Sequence, residues 1–453
     1  MITKIYVDGF KSLSKFKLNL RQGLNILVGP NGAGKTNIIQ FFEFLSNLTE
    51  NSIGNAVSMS GGAGSVFRKI GLNEYQNELS FCIYGSIRLA SKKFLTYEYR
   101  GNISASFDTD VIHFSSQSIK FKIGSKFWED PDAPLYLRGN WDLDLEYKQV
   151  DGKAKVNLKT INEKKIIFRF FENIKESENE SNFENFIKSH NPAFNNILNS
   201  LFILLEDYQF QILKDLLGGE TFNVVPSKVK DIEDAATPPG IKKDGSGLST
   251  TLYSMKNSKP RERLTSKLGF FYYKGEQNYD PNTLKQIVSY LKLANKTIEN
   301  LDVVNDPFDN KLIVKVYIET EEYQSVLPLA AMSDGTIKWL ALITAILTSK
   351  TIFSIEEPEN FLHPWMQAEI ANIMREHILN KKNESFILMT THSESLLNHS
   401  NPKEILLVDN KHGNTVAKRI SNSEEVISEI SNSGFGLGHF YFSNVLDIDN
   451  EDN

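Results

Sequence analysis

The run Gly29-Pro30-Asn31-Gly32-Ala33-Gly34-Lys35-Thr36 has the spacing of a phosphate-binding loop. Glycines there let backbone N–H groups turn inward around an anion, and the following helix adds the positive end of its dipole. In such a loop Lys35 reaches the β- and γ-phosphates of a nucleotide, and the Thr36 hydroxyl ligates Mg²⁺. Roughly 300 residues later, far beyond one βαβ unit of about 30 residues, an apolar strand leads into Glu356 and Glu357. Acids at the carboxyl end of a buried strand stand where α/β ligand sites form. One can hold Mg²⁺ through water, and the next can polarise an attacking water. Ser333-Asp334-Gly335 precedes an apolar stretch starting at Ile337 and reads as a capped helix N-terminus, itself an anion site. His392 follows the apolar strand Phe386 to Met389 and two threonines, where a neutral imidazole can bond a γ-phosphate or position water. His363 either lines the site or opens a helix before Pro364.

The elements that must position these groups lie at both ends of the chain. Lys4 to Val7 and Lys17 to Leu20 read as a strand meander, Leu24 to Val28 as a short buried strand, and Lys35 to Leu48 as a helix. Strand-like segments follow at Leu79 to Ile83, Phe94 to Tyr99, Val111 to Phe114 and Leu143 to Lys148. From Phe168 to Asp215 the spacing turns helical, with Phe202, Leu205 and Ile212 on one stripe. Pro226 to Ser266 carries the loop signals Pro238-Pro239-Gly240 and Gly245-Ser246-Gly247, and a helix is expected from Asn282 to Asn300. The alternating strand Lys311 to Glu319 then re-enters the nucleotide fold. The division expected is 1–160 for an N-terminal lobe, 161–300 for a mainly helical insertion with a basic loop, 301–446 for a C-terminal lobe, and 447–453 for a disordered tail.

Composition narrows the class. The chain has 453 residues, is 40% hydrophobic and carries a net charge of −6, so it can bury a sizeable core and is not a basic nucleic-acid coat. The single cysteine, Cys82, excludes an internal disulfide framework and any multi-cysteine metal site, and points to a reduced cytoplasmic setting. No apolar run approaches the ~20 residues that span a bilayer, so no membrane role is expected. From Lys228 to Lys267 the cations, among them Lys242, Lys243, Lys256 and Arg263, outnumber the acids. Such a stretch is a solvated loop or a phosphate-backbone contact, which keeps nucleic acid as a candidate partner.

These motifs, in this order, resemble the ABC-type ATPases of the SMC and RecF group, to which Gly9-Phe10-Lys11-Ser12 is also similar. Ile355-Glu356-Glu357-Pro358-Glu359 with His363-Pro364, and Asp244-Gly245-Ser246-Gly247-Leu248, resemble more closely the ATPases related to the overcoming-lysogenisation-defect proteins. That group includes ATPase subunits of phage-defence systems of the Septu and PARIS type. The resemblance implies an α/β fold: a split ABC-type P-loop core with an attached antiparallel sheet and a helical insertion. It implies ATP contacts from Lys11, Ser12, Gly29, Asn31, Gly32, Ala33, Gly34, Lys35, Thr36 and Asn37, and from the signature residues Ser333, Asp334 and Gly335. Thr36 and Glu356 would hold Mg²⁺, Glu357 would be the catalytic glutamate, and His392 the switch histidine. It further implies slow ATP hydrolysis, a homodimer or higher homo-oligomer closed through composite sites, and a separate effector, a nuclease or toxin. Only about 60 residues follow His392, too few for the Toprim nuclease that many relatives carry. A RecF-like DNA-repair ATPase and a non-catalytic scaffold holding a toxic effector are the alternatives. Two positions depart from the SMC pattern: Glu356 stands where aspartate is usual, and His363 where the dimer-loop aspartate stands. Gln76 is the nearest match to the γ-phosphate-sensing glutamine.

Overall fold

The computed structural model describes residues 1–89, 92–124, 141–151, 153–160, 185, 187–199, 208–257, 281–349, 352–380, 384–443 and 446. Its centre is a six-stranded sheet in the order β17-β16-β3-β15-β14-β9. The strands are β3 (Gly23–Val28), β9 (Glu220–Phe222), β14 (Phe353–Glu356), β15 (Phe386–Thr391), β16 (Ile405–Lys411) and β17 (Asn414–Arg419). All neighbours are parallel except the hairpin β16–β17. Continuous burial along β14 and β15 is what a parallel sheet covered on both faces requires.

Side-chain alternation shows how this sheet divides the interior. On β3, Leu27 faces one apolar cluster while Leu24, Ile26 and Val28 face the other; on β15, Phe386 and Leu388 oppose Ile387 and Met389. The first cluster holds the P-loop helix Lys35–Glu50, whose Phe41 and Phe44 pack edge-on or tilted against Phe10 with ring centroids 5.5 Å apart. It also holds the inner face of a seven-stranded antiparallel sheet, β2-β1-β4-β5-β6-β7-β8. These strands are β1 (Ile2–Asp8), β2 (Phe16–Asn19), β4 (Glu78–Arg88), β5 (Phe94–Ser106), β6 (Val111–Gly124), β7 (Leu143–Val150) and β8 (Lys153–Thr160). The second cluster holds the helix Asp334–Thr348, buried from Thr336 to Ile346, and the helix Pro364–Leu379. A further sheet joins β10 (Glu233–Asp234), β11 (Ile298–Asp306), β12 (Lys311–Glu319) and β13 (Gln324–Pro328).

Two local expectations are corrected. The helix expected to reach Asn300 ends at Ala294, and β11 begins at Ile298, because Leu301 and Val303 alternate into the second cluster. The loop expected through Pro226 to Ser266 contains the helix Leu248–Asn257, whose Leu248, Leu252 and Met255 are fully buried. Residues 220–222, within 161–300, form the sheet-edge strand β9 beside β14. Ile212 is buried, while Phe202, Leu205 and the tail 447–453 lie outside the described residues.

Candidate active site

Parallel registry brings the three chemical groups to one edge of the central sheet. Val28, the last residue of β3, pairs with Thr391, the last of β15, and Glu356 at the end of β14 pairs with Thr390. The P-loop, the acidic pair and His392 each follow one of these strand ends, so they share the crevice where α/β sheets bind ligands.

The P-loop is closed on itself. Gly32 and Gly34 adopt φ of +81° and +99°, which favour glycine, and Gly34 is the N-cap of the helix Lys35–Glu50. Lys35 is 7% exposed, and its Nζ donates to Gly29 O at 2.7 Å and Pro30 O at 3.0 Å. Burial lowers its pKa, partly offset by Glu357 and Glu359. A Cβ on Gly34 would overlap Thr415 Oγ1. Gly34→Val therefore combines left-handed backbone strain with a steric clash, and a loss of about 1–3 kcal/mol is expected. Urea unfolding measures it; an unchanged midpoint would show that β17 yields freely.

Thr36 Oγ1 donates to Glu356 Oε2 at 3.1 Å. Glu357 Oε1 lies 3.8 Å from His392 Nε2, and its other oxygen accepts from Asn360 Nδ2 at 3.0 Å. Glu359 Oε1 accepts from Thr391 Oγ1 at 2.8 Å and from His392 N–H at 2.7 Å, which fixes the histidine's backbone. Burial lowers the His392 pKa, and Lys35 adds to this; Glu357 and Glu359 oppose it. The imidazole is thus held toward its neutral form.

Beside the loop, Asn37 Nδ2 donates to Ser12 Oγ at 2.7 Å, and Ser12 Oγ lies 2.6 Å from Thr415 Oγ1. Lys11 Nζ donates to Gln40 Oε1 at 2.6 Å and lines two clefts. One, of about 550 Å³, also has Ser12, Arg68, Lys69 and His412 on its walls; the other, of about 490 Å³, has Glu43 and Lys243.

Ser333, Asp334 and Gly335 stand elsewhere, at the start of the buried helix Asp334–Thr348. Ser333 caps it through Thr336 N–H, and Asp334 pairs with Lys230 at 2.7 Å. Among the described residues no hydrogen bond or ion pair joins these three to residues 29–37. His363 is the N-cap of Pro364–Leu379 and Gln76 N–H bonds Arg68 O at 2.8 Å.

Residues 24–88 and 162–398 match the family described as "AAA domain, putative AbiEii toxin, Type IV TA system", more than half of the 453 residues. The chain belongs to this AAA-domain family. The unmatched stretch 89–161 contains β5 to β8 of the antiparallel sheet. This AAA-domain chain is 28% identical to the Septu protein PtuA of Bacillus thuringiensis over 123 residues, 26% of this chain and 28% of that protein. It is 42% identical to the DNA double-strand break repair Rad50 ATPase of Methanopyrus kandleri over 40 residues, 9% of this chain and 5% of that protein. These matches therefore span less than a third of either curated relative. A solved SMC head bound to the C-winged helix domain of ScpA is similar over 94% of this chain and 99% of its own, with 13% identity and a TM-score of 0.49.

The residues of this AAA domain fit a divalent cation held mainly by phosphates. Glu356 is 8% exposed, and burial raises its pKa, with Glu43 and Glu357 adding and Lys243 and Thr36 opposing. A buried carboxyl beside a hydroxyl is the donor set for Mg²⁺ with one or two protein ligands. No group of three or more His, Cys, Asp or Glu able to hold a metal occurs among the described residues. Burial makes this carboxyl hold its proton more tightly than an exposed one, and a bound cation must displace that proton. Mg²⁺-dependent nucleotide binding is then expected to weaken as pH falls, and to do so sooner than for an exposed carboxylate. Fluorescent-nucleotide titrations of wild type and Glu356→Gln measure it; an equal pH dependence in both would assign the effect elsewhere.

Several pairings here escaped the sequence reading. Lys243 pairs with Glu43 on the P-loop helix at 2.7 Å, and Arg68 reaches Ser14 and Asn414. Both come from segments whose pairing partner is distant in sequence, which leaves no local signal. Lys338 did leave one: a lysine inside the apolar run from Ile337 to Leu347. Lys228, Lys230, Lys243 and Lys256 of the basic stretch pair with Asp231, Asp334, Glu43 and Asp302. No helix among the described residues is long and apolar enough to cross a membrane.

Proposed function

We infer that this AAA-domain protein binds ATP with Mg²⁺, hydrolyses it slowly, and closes composite sites head to tail between copies. The observation that carries this reading is the convergence of Lys35, the Thr36–Glu356 pair and the Glu357–His392 pair at the ends of three adjacent parallel strands. Loop N–H groups and Lys35 bind and orient the phosphates. Thr36 and Glu356 would hold Mg²⁺, which would supply neutralisation of phosphate charge. Glu357 takes the proton of the attacking water, and neutral His392, oriented through Glu359, donates toward the phosphate side. Ser333, exposed at its helix terminus, meets the nucleotide held by another copy. The wider role is that of a sensor or regulatory subunit in anti-phage defence, acting with a separate nuclease or toxin; the match to the Septu protein supports this.

Sedimentation equilibrium of Glu357→Gln with and without ATP and Mg²⁺ tests the assembly. ATP-dependent dimers or larger oligomers that Ser333→Arg abolishes are expected. Monomers under every condition would remove the composite-site reading.

A further inference from the structure

A lysine is buried in the signature helix. Lys338 stands between Ile337 and Trp339 and is 1% exposed, and a cation that deep persists only with partners. Its Nζ donates to Glu357 O at 3.1 Å and lies 5.8 Å from the centroid of the Phe361 ring. Burial pushes its pKa down to about 8, while Glu359 and Glu357 on the loop after β14 favour its charged form. On its own helix, Asp334 is held one turn back by Lys230, and His392 lies across Glu357 at 3.8 Å.

The residue it grips is strained. Glu357 has φ +44°, a conformation that a non-glycine residue keeps only where its surroundings over-determine it. Three neighbours do so. Its N–H donates to Thr390 O at 3.1 Å and to Thr390 Oγ1 at 3.2 Å on β15, and its carbonyl accepts from Lys338 Nζ at 3.1 Å and from Asn360 N–H at 3.3 Å, so that Lys338 is the one cation among them. The same helix touches this loop again at its first turn: a Cβ on Gly335 would come within 2.7 Å of Phe361 O. The helix that begins at Ser333 therefore meets the acidic loop at two points, and a buried packed element of this kind moves as a unit.

We propose that Lys338 is a positioning residue: through the Glu357 carbonyl it sets the left-handed backbone that aims the Glu357 carboxylate at His392, and it couples the Ser333 helix terminus to that base. This rests on the reading above, in which Glu357 is the base and Ser333 meets another copy's nucleotide. An anion engaging the helix terminus biases the helix whose second turn holds the base in place. Hydrolysis at one site then depends on engagement at the other, which makes the dimer contact a condition for turnover.

The test compares Lys338→Met, which keeps length and apolar packing but removes the donor, with Lys338→Arg, which keeps the cation. Amide exchange across residues 356–362 is followed by mass spectrometry with and without ATP and Mg²⁺, beside the kinetics of phosphate release. Lys338→Met is expected to raise exchange in 357–361 and to lower kcat by about 10- to 100-fold with KM for ATP within about twofold. Arg is expected to restore both. Wild-type kcat is expected to fall as pH rises through about 8, and the Arg variant to hold activity to higher pH. Unchanged exchange at 357–361 in a folded Met variant, or identical pH profiles for wild type and Arg, would overturn the proposal. If wild type shows no turnover that Lys35→Ala removes, the hydrolysis reading fails, and the exchange result alone decides the Lys338 anchor.

Discussion

Glu357→Gln is expected to lower phosphate release by about 10³-fold, the middle of the range for losing a positioned base, while nucleotide affinity changes by less than about threefold. Glutamine keeps the shape and the acceptor for Asn360 Nδ2, now at 3.0 Å. The left-handed backbone at 357 is held through its own N–H and C=O, by Thr390, Lys338 and Asn360, and so does not depend on the carboxylate. What is lost is the charge 3.8 Å from His392 and the ability to accept a proton from water. Single-turnover measurements separate this from slow product release. Turnover within about threefold of wild type would show that the base is another group, and Glu359 would be the first to examine.

Lys35→Ala acts one step earlier. The ammonium now occupies the loop's own carbonyls, Gly29 O and Pro30 O, so nucleotide binding exchanges those bonds for phosphate oxygens. Alanine removes the cation and leaves a loop whose glycines still turn but whose charge is gone. A fall in affinity of about 100-fold, or about 2.7 kcal/mol, is expected. Phosphate release is expected to be lost with it. The two variants should separate in calorimetric ATP titrations: Glu357→Gln binds much as wild type does, and Lys35→Ala about 100-fold more weakly. Equal affinity in both would mean that the loop's backbone N–H groups alone carry the phosphates.

The sequence made some of this plain and hid the rest for physical reasons. Glycine spacing and a following apolar helix identify a phosphate loop because backbone geometry near an anion tolerates little else, and β3 with the helix from Lys35 stands where the pattern placed it. The strand at Lys311–Glu319 is legible because half-burial imposes period two. The helix Leu248–Asn257 was hidden in a stretch rich in turn signals, since its burial comes from β11 and β12, which follow it by tens of residues. Lys243 against Glu43 and Ser12 against Thr415 are long-range pairs of polar residues, and no periodicity records them.

The order β17-β16-β3-β15-β14-β9 has a consequence for synthesis. The strand that carries the phosphate loop is flanked on both sides by strands from the far end of the chain, β15 and β16. A ribosome adding about 5–20 residues per second needs roughly 20 s to more than a minute to travel from β3 to β16. During that interval the apolar strand Gly23–Val28 has neither neighbour, and both of its edges can pair with other chains. Non-local closure of this kind is slow. Nascent chains should therefore depend on early cover, for which the antiparallel sheet and the P-loop helix are complete first.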